Sequence, residues 1–425
     1  MNQMEQNVLQ YLDDHKQDLF DLMSRLLQID SQNYVNHGDE ENCAPLLLEE
    51  FEKLGLEAEK YYPDAVPGVL ENPDYLPGRG TDKRPNVCGI YRAKGSTKKI
   101  MLTSHTDTMP IGNRDAWTVD PLGGEQKDGK IYGRGACDDK FGLATSILAL
   151  QAIRASGVEL ENDVVIDAVC DEEYGGGNGA LAACVKHKAD AIINTDGGSF
   201  EVWTASMGGQ SIELRPHCLN PQDSSTDMVE AFGIINEAVR AFADRRRAEL
   251  HANRYYKDTV FERSALRVTE VSVGGGGCDL GKGVYHFVYY TTKSYEDITA
   301  ELEQMRQEIG EKLKKLEIEI GPYHPCSRFF YYLTIEDDDP FTKLVKSGAE
   351  DACGKPVAIN GASMSDLSLF LKHGSPQSLN FGILRDFKLK GGAHQADEFV
   401  DQQELLNHAK ALALCMMRWC GAHEK

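Results

Sequence analysis

Val164-Val-Ile-Asp-Ala-Val169 runs through Cys170 into Asp171-Glu-Glu-Tyr-Gly-Gly-Gly-Asn-Gly179. A short apolar run that ends in acids and glycines reads as a buried strand followed by a loop. The same form recurs on either side. Lys99-Ile-Met-Leu-Thr-Ser104 ends at His105, Ala191-Ile-Ile193 ends at Asp196, and Ser378-Leu-Asn-Phe-Gly382 leads towards His394. Between the first two runs, residues 141–155 carry Leu143, Ile147, Leu150 and Ile153 on one helical face. Strand, helix and strand in alternation predict an α/β domain built on a mostly parallel, doubly wound sheet with helices on both faces. In such sheets the functional groups sit beyond the carboxyl ends of the strands. The polar clusters fall there.

Working outward, residues 5–28 show apolar positions at helical spacing (Val8, Leu12, Leu19, Leu22, Met23, Leu26), predicting one opening helix, and a second is expected over 42–54, ending at Gly55. The Pro-, Gly- and Asp-rich residues 62–86 read as irregular. After Gly198 the pattern changes to a strand (210–214), a long helix (227–249), two strands (265–273 and 284–291) and a charged helix (295–316). This predicts a smaller, two-layer α+β domain inserted into the first. The expected boundaries are 1–200 and 334–425 for the main domain and 201–333 for the insert, whose tetraglycine Gly274–Gly277 reads as a loop.

At 425 residues the chain exceeds the ~250–300 at which a single core stops growing, in keeping with two domains. With 67 Asp plus Glu against 45 Lys plus Arg, the formal charge is −22. That balance argues against a nucleic-acid partner, which needs a basic stripe, and against an anionic membrane surface. There is no apolar run of membrane-spanning length and no signal-peptide pattern at the start. Eleven cysteines without a CxxC pair, in a chain too large to need staples, point to reduced thiols and a cytoplasmic setting.

The strand-end residues carry the chemistry. His105-Thr-Asp107 sets an Asp where it can accept from the imidazole and fix its tautomer. Gly133-Arg-Gly-Ala-Cys-Asp-Asp-Lys140 puts an Asp pair before a helix, where an ordinary N-cap is the plain alternative. Three adjacent acids at Asp171-Glu-Glu173 repel unless a cation neutralises them or one takes a proton. Two imidazoles with several carboxylates and no clustered thiolates match divalent ions such as zinc, cobalt or manganese. A surplus Glu beside a ligand Glu supplies a general base.

The order and spacing of these five motifs resemble those of the co-catalytic zinc metallopeptidase family that includes aminoacylase, acetylornithine deacetylase, succinyl-diaminopimelate desuccinylase, glutamate carboxypeptidase and dipeptidases. The resemblance implies two divalent metal ions, zinc favoured, with His105 a ligand of one and Asp107 its orienting partner. It further implies Asp138 as the bridging carboxylate, Glu172 as general base, Glu173 and His394 as ligands of the second metal, and Asp196 completing the first. Glu398, beside His394, is a further acid that could join this cluster. The insert would be a lid domain that also mediates homodimerisation. The implied activity is hydrolysis of an amide bond in a small substrate, an N-acyl amino acid or short peptide, by hydroxide bridging the two ions. Asp196, where deacylases and carboxypeptidases of the family commonly carry Glu, leans towards the peptidases.

Some features depart from the family's pattern. The lid segment Ser206–His217 lacks the usual G-x-x-x-H context, so His217 stands as a candidate oxyanion residue beside a plain surface histidine. The family's lid Arg is absent, with only Lys293 nearby. Arg385 is the candidate to grip a substrate carboxylate, against an ion pair with Asp386 or another acid. The loop Gly361-Ala-Ser-Met-Ser-Asp366 resembles the family's cleft loop, which makes Ser363 a substrate-binding candidate. A hydrolase of a ureido, carbamoyl or aryl-amine C–N bond that releases ammonia is the alternative. A non-catalytic metal-binding relative is a further one, though it would have no use for Glu172.

Overall fold

The computed structural model describes residues 1–220, 228–273 and 281–425. The tetraglycine and Asp227 lie outside them. The chain divides into two compact units, Met1–Ala205 with Thr334–Lys425, and Ser206–Leu333.

The first unit is α/β. Four strands form the parallel centre of its large sheet: β1 (Lys99–His105), β2 (Asp163–Val169), β3 (Ala191–Asn194) and β4 (Ser378–Gly382), in the order β2-β1-β3-β4. The flanks are antiparallel. Asn86–Tyr91 lies antiparallel to β2, Glu57–Tyr61 antiparallel to Asn86–Tyr91, and Glu201–Ser206 antiparallel to β4. The doubly wound centre is therefore as expected, inside a sheet that is mixed overall.

Every residue of β2 is buried, because helices cover both faces of the sheet. Ile100, Leu102, Val164, Ile166 and Ile193 enter the core on one face, with the helices Lys140–Ala155 and Gln402–Cys420. Met101, Val165, Val169 and Ile192 point the other way, against the helix Asn178–His187. Each such buried aliphatic side chain stabilises the fold by about 1.5–3 kcal/mol.

The opening helix differs from expectation. It breaks at His15 into Gln3–Asp14 and Lys16–Leu27. Asn2 and Glu5 close a capping box on the first piece, and the His15 backbone (φ −113°, ψ 20°) leaves the helical region. The apolar spacing stays in phase across the break, which is why the sequence alone reads as one helix. Glu40–Cys43 forms a tight 3₁₀ turn ahead of the next helix, Ala44–Lys53.

The second unit is α+β: a four-stranded antiparallel sheet of Leu266–Val273, Gly283–Thr291, Gly208–Leu214 and His324–Pro325, in that order. The helices Met228–Ala252 and Tyr295–Leu313 share its core, which contains Ile235, Val239, Phe242, Phe287, Ile298 and Ile309.

Candidate active site

β1 ends with His105 paired to Val169, the last residue of β2. Thr106 N then donates to Val169 O, and Thr195 N to Thr103 O, each at 2.8 Å. His105, the acids after β2 and Asp196 after β3 thus leave the sheet along one edge. Two groups of side chains converge there with donor atoms within 4.8 Å of one another: His105, Asp138 and Asp196, and Asp138, Glu173 and His394. Asp138 belongs to both. His105 Nε2 lies 3.1 Å from Asp138 Oδ1, and His394 Nε2 lies 3.1 Å from Oδ2 and 2.8 Å from Glu173 Oε2. His394 Nε2 is shut off from water, yet it is aligned for a hydrogen bond with neither carboxylate. A ring nitrogen without a well-directed proton partner, among carboxylates, fits a metal ligand.

Asp107 acts differently from the expectation. His105 Nδ1 lies 2.8 Å from the Asp107 backbone carbonyl, whereas the carboxylate is 3.7 Å away. The main chain therefore fixes the tautomer, also a common second partner for a ligand histidine. The Asp107 carboxylate instead accepts from Glu172 N (2.9 Å), Glu173 N (3.0 Å) and Asn33 Nδ2 (2.8 Å). It holds the turn that presents both glutamates.

Charge crowding is severe. Burial, then the charges of Asp196 and Asp366, pushes the Glu172 carboxyl well above the usual carboxylate range. Burial and the charge of Asp138 do the same to Asp196, and burial raises Glu173. Burial opposes the charge on Asp138 as well, but the His105 and His394 imidazoles beside it outweigh that, so Asp138 falls well below that range. Burial opposes the charge on His394 too; Glu173 and Asp138 override it and push the ring up to about 11. Carboxylates pushed up this way are what a cation in their midst would offset.

The third acid of the triplet is structural. Asp171 is fully buried at φ +66° and takes Arg79 Nε (3.0 Å) and Nη2 (2.6 Å), with Arg84 Nη2 at 3.0 Å. Arg84 Nε also donates to Glu40 at 2.7 Å. A Cβ on Gly176 would collide with the Asp171 carboxylate, which accounts for a glycine in that loop. Asp139 occupies the N-cap position of the helix Lys140–Ala155, but its side chain makes no capping hydrogen bond. It accepts instead from Thr195 Oγ1 at 3.0 Å. Glu398 belongs to neither ligand group. It accepts from Arg134 Nη1 (2.6 Å) and Cys137 N (3.0 Å), bracing the loop before Asp138.

The remaining candidates are dispersed. Arg385 makes no ion pair with Asp386; its guanidinium lies over the Phe399 ring, 4.5 Å from the centroid. Ser363 is half-buried, its hydroxyl 3.4 Å from Met364 O. His217, in the second unit, is half-exposed and 3.6 Å from Glu319, and Lys293 pairs with Glu301 at 3.0 Å. A third group, His251, Asp258 and Glu262, is largely exposed in that unit. Two residues of the site escaped the sequence reading. Asp366, 2% exposed, acts on both Glu172 and Asp196, and Asn380 Nδ2 donates to the Asp196 carbonyl. Asp366 closes the glycine/serine loop that drew attention to Ser363.

Candidate ligand groups joined by one carboxylate, at the strand ends of an α/β unit, are the layout of a metal-dependent hydrolase. Residues 101–418 match Peptidase family M20/M25/M40, and the chain belongs to that family. It is an enzyme, a metal-dependent hydrolase. A succinyl-diaminopimelate desuccinylase of Rhodospirillum centenum is 23% identical over 387 residues, covering 85% of this chain and 88% of the relative. The fold matches a solved di-peptidase of Saccharomyces cerevisiae (TM-score 0.74, 16% identity, 99% of each chain). It also matches human carnosine dipeptidase 1 (TM-score 0.70, 14% identity, 98% of this chain and 99% of that one). No described helix is long and apolar enough to cross a membrane.

Proposed function

We propose that the first unit hydrolyses an amide bond in a small substrate, an N-acyl amino acid or short peptide, with Glu172 as general base. Two divalent ions would be held by His105, Asp138 and Asp196 and by Asp138, Glu173 and His394. One observation carries this reading: the two ligand groups share Asp138, while Glu172, next to a ligand glutamate, belongs to neither. The mixed imidazole and carboxylate donors favour zinc and also suit cobalt or manganese. Bound there, such ions supply Lewis acidity and lower the pKa of water. Glu172 takes a proton from the attacking water and returns it to the leaving nitrogen. Asp107 positions it through the Glu172 and Glu173 N–H groups.

Amide substrates are supported by the names of the relatives, a desuccinylase and dipeptidases. A cytoplasmic setting is supported by buried thiols outside any disulfide, among them Cys43, Cys88 and Cys137. A homodimer through the second unit is supported by the edge strand Leu266–Val273, which exposes Val268, Val271 and Val273. The test is a panel of dipeptides, N-acyl amino acids and ureido compounds, assayed after chelation and after return of zinc. Zinc-restored release of an amino acid, lost in Glu172→Gln, is expected. Activity that survives chelation or Glu172→Gln would overturn the mechanism, and ammonia as the only nitrogen product would move the substrate to a ureido or carbamoyl class.

A further inference from the structure

The first unit contains a second ligand-sized feature. A cavity of about 430 Å³ lies beside the short sheet of Glu125–Lys127, Lys130–Tyr132 and Phe399–Asp401. None of the two ligand groups' residues lines it. Its volume falls within the range of small-molecule pockets. Four cations, Lys127, Lys130, Arg385 and Lys390, face it against two carboxylates, Asp128 and Asp397, a balance of +2 (4 − 2). In a chain of formal charge −22, such a local excess is a built feature rather than an average one.

The cations are held ready. Lys130 Nζ and the Arg385 guanidinium lie over the Phe399 ring, 4.1 and 4.5 Å from its centroid, so one aromatic ring positions both. Among the described residues none of the four makes an ion pair. Arg385 Nε is shut off from water without a hydrogen-bond partner. Asp397 is committed elsewhere, accepting from Thr118 N at 2.6 Å and Thr118 Oγ1 at 2.9 Å. Lys127 and Lys130 come from a hairpin, whereas Arg385 and Lys390 come from the segment 385–399 that carries His394. That segment is tied within itself by Ala393 N to Arg385 O and Phe399 N to Gly391 O, each at 3.2 Å.

We propose that this cavity binds a small dianion, a phosphate group or a short dicarboxylate, between the hairpin lysines and Arg385 and Lys390, and thereby steadies the segment that carries His394. Two negative charges match the +2 balance, and the planar Arg385 fork suits either oxyanion. Binding is independent of the proposed hydrolysis; only its consequence for the metal centre rests on that reading.

The experiment uses the full chain stripped of metal, so that no ion can capture the probe. Inorganic phosphate, malonate and acetate are titrated calorimetrically, the first two separating the two dianion sources. One-to-one saturable binding of phosphate or malonate is expected, with acetate at least about tenfold weaker. The double variant Lys127→Gln/Lys130→Gln should weaken it by about tenfold or more, with an unchanged unfolding midpoint as the folding control. The exposed single variant Lys390→Gln gives a second reading. Hydrogen exchange over residues 385–399 should slow when the dianion is added. Absence of saturable binding by either dianion, or equal binding by the lysine variants, would overturn the site; unchanged exchange would overturn its action on the loop.

Discussion

Replacing Arg84 with Met removes a fully buried cation and keeps most of its volume. Arg84 faces two buried carboxylates, Glu40 at 2.7 Å and Asp171 at 3.0 Å, and Nη1 donates to Arg79 O at 2.8 Å. Deleting one partner of a buried ion pair typically costs about 3–5 kcal/mol. The lower end applies here. Asp171 keeps Arg79, and Glu40 can take a proton, since burial and then the charge of Asp107 already push its carboxyl up to about 8. A loss of about 3 kcal/mol against a total of about 5–15 should lower the unfolding midpoint by roughly 5 °C. The sign of the pH effect follows from Glu40. Its folded carboxyl lies above the ordinary 4.5, so its contribution is full below 4.5 and is lost as pH rises towards 8. Losing Arg84 raises Glu40 further, so the deficit of Arg84→Met should grow between pH 7 and pH 9, where only the wild-type carboxyl ionises. Urea unfolding followed by circular dichroism measures it at both ends. Adding Glu40→Gln removes the stranded carboxylate and should recover about 1 kcal/mol or more. A single variant within about 0.5 kcal/mol of wild type, or a double variant in which both losses simply add, would refute the reasoning.

Two further outcomes are expected. Burial pulls His408 down to about 4, with Nδ1 2.9 Å from Thr145 Oγ1 and Nε2 3.0 Å from Phe381 O. A folded histidine below its ordinary 6.5 contributes stability that is present above 6.5 and lost as pH falls towards 4, about 3 kcal/mol in all. His408→Gln should flatten the unfolding curve over that interval relative to wild type; parallel curves would count against it. Glu398→Gln should cost about 2 kcal/mol through the weakened Arg134 contact while the bound-metal count stays unchanged, read by urea unfolding and elemental analysis. A lost ion would make Glu398 a ligand after all.

The parallel centre and the residues at its strand ends were legible because each signal is local. An apolar run stops at His105, at the Asp171 triplet or at Asp196, and the parallel register brings those stops to one edge. What stayed hidden depends on long-range pairing. Arg79 and Arg84 sit in a Pro- and Gly-rich stretch that reads as loop, and only the buried Asp171, 92 residues from Arg79, reveals why they are there. Glu398 finds Arg134 across 264 residues, and Arg385 chooses the face of Phe399 over its neighbour Asp386. The break at His15 was invisible because it leaves the apolar phase intact. Asp366 was within reach: it ends the loop that pointed to Ser363, and an acid there needed only to be counted with the others.

Metal content of the purified chain tests the paired centre most directly. Wild type should carry two divalent ions per chain, His105→Ala and His394→Ala about one each, and Asp138→Ala about none, because Asp138 belongs to both ligand groups. Two ions retained in Asp138→Ala, or a wild-type chain reconstituted with zinc that holds no more than one, would contradict it.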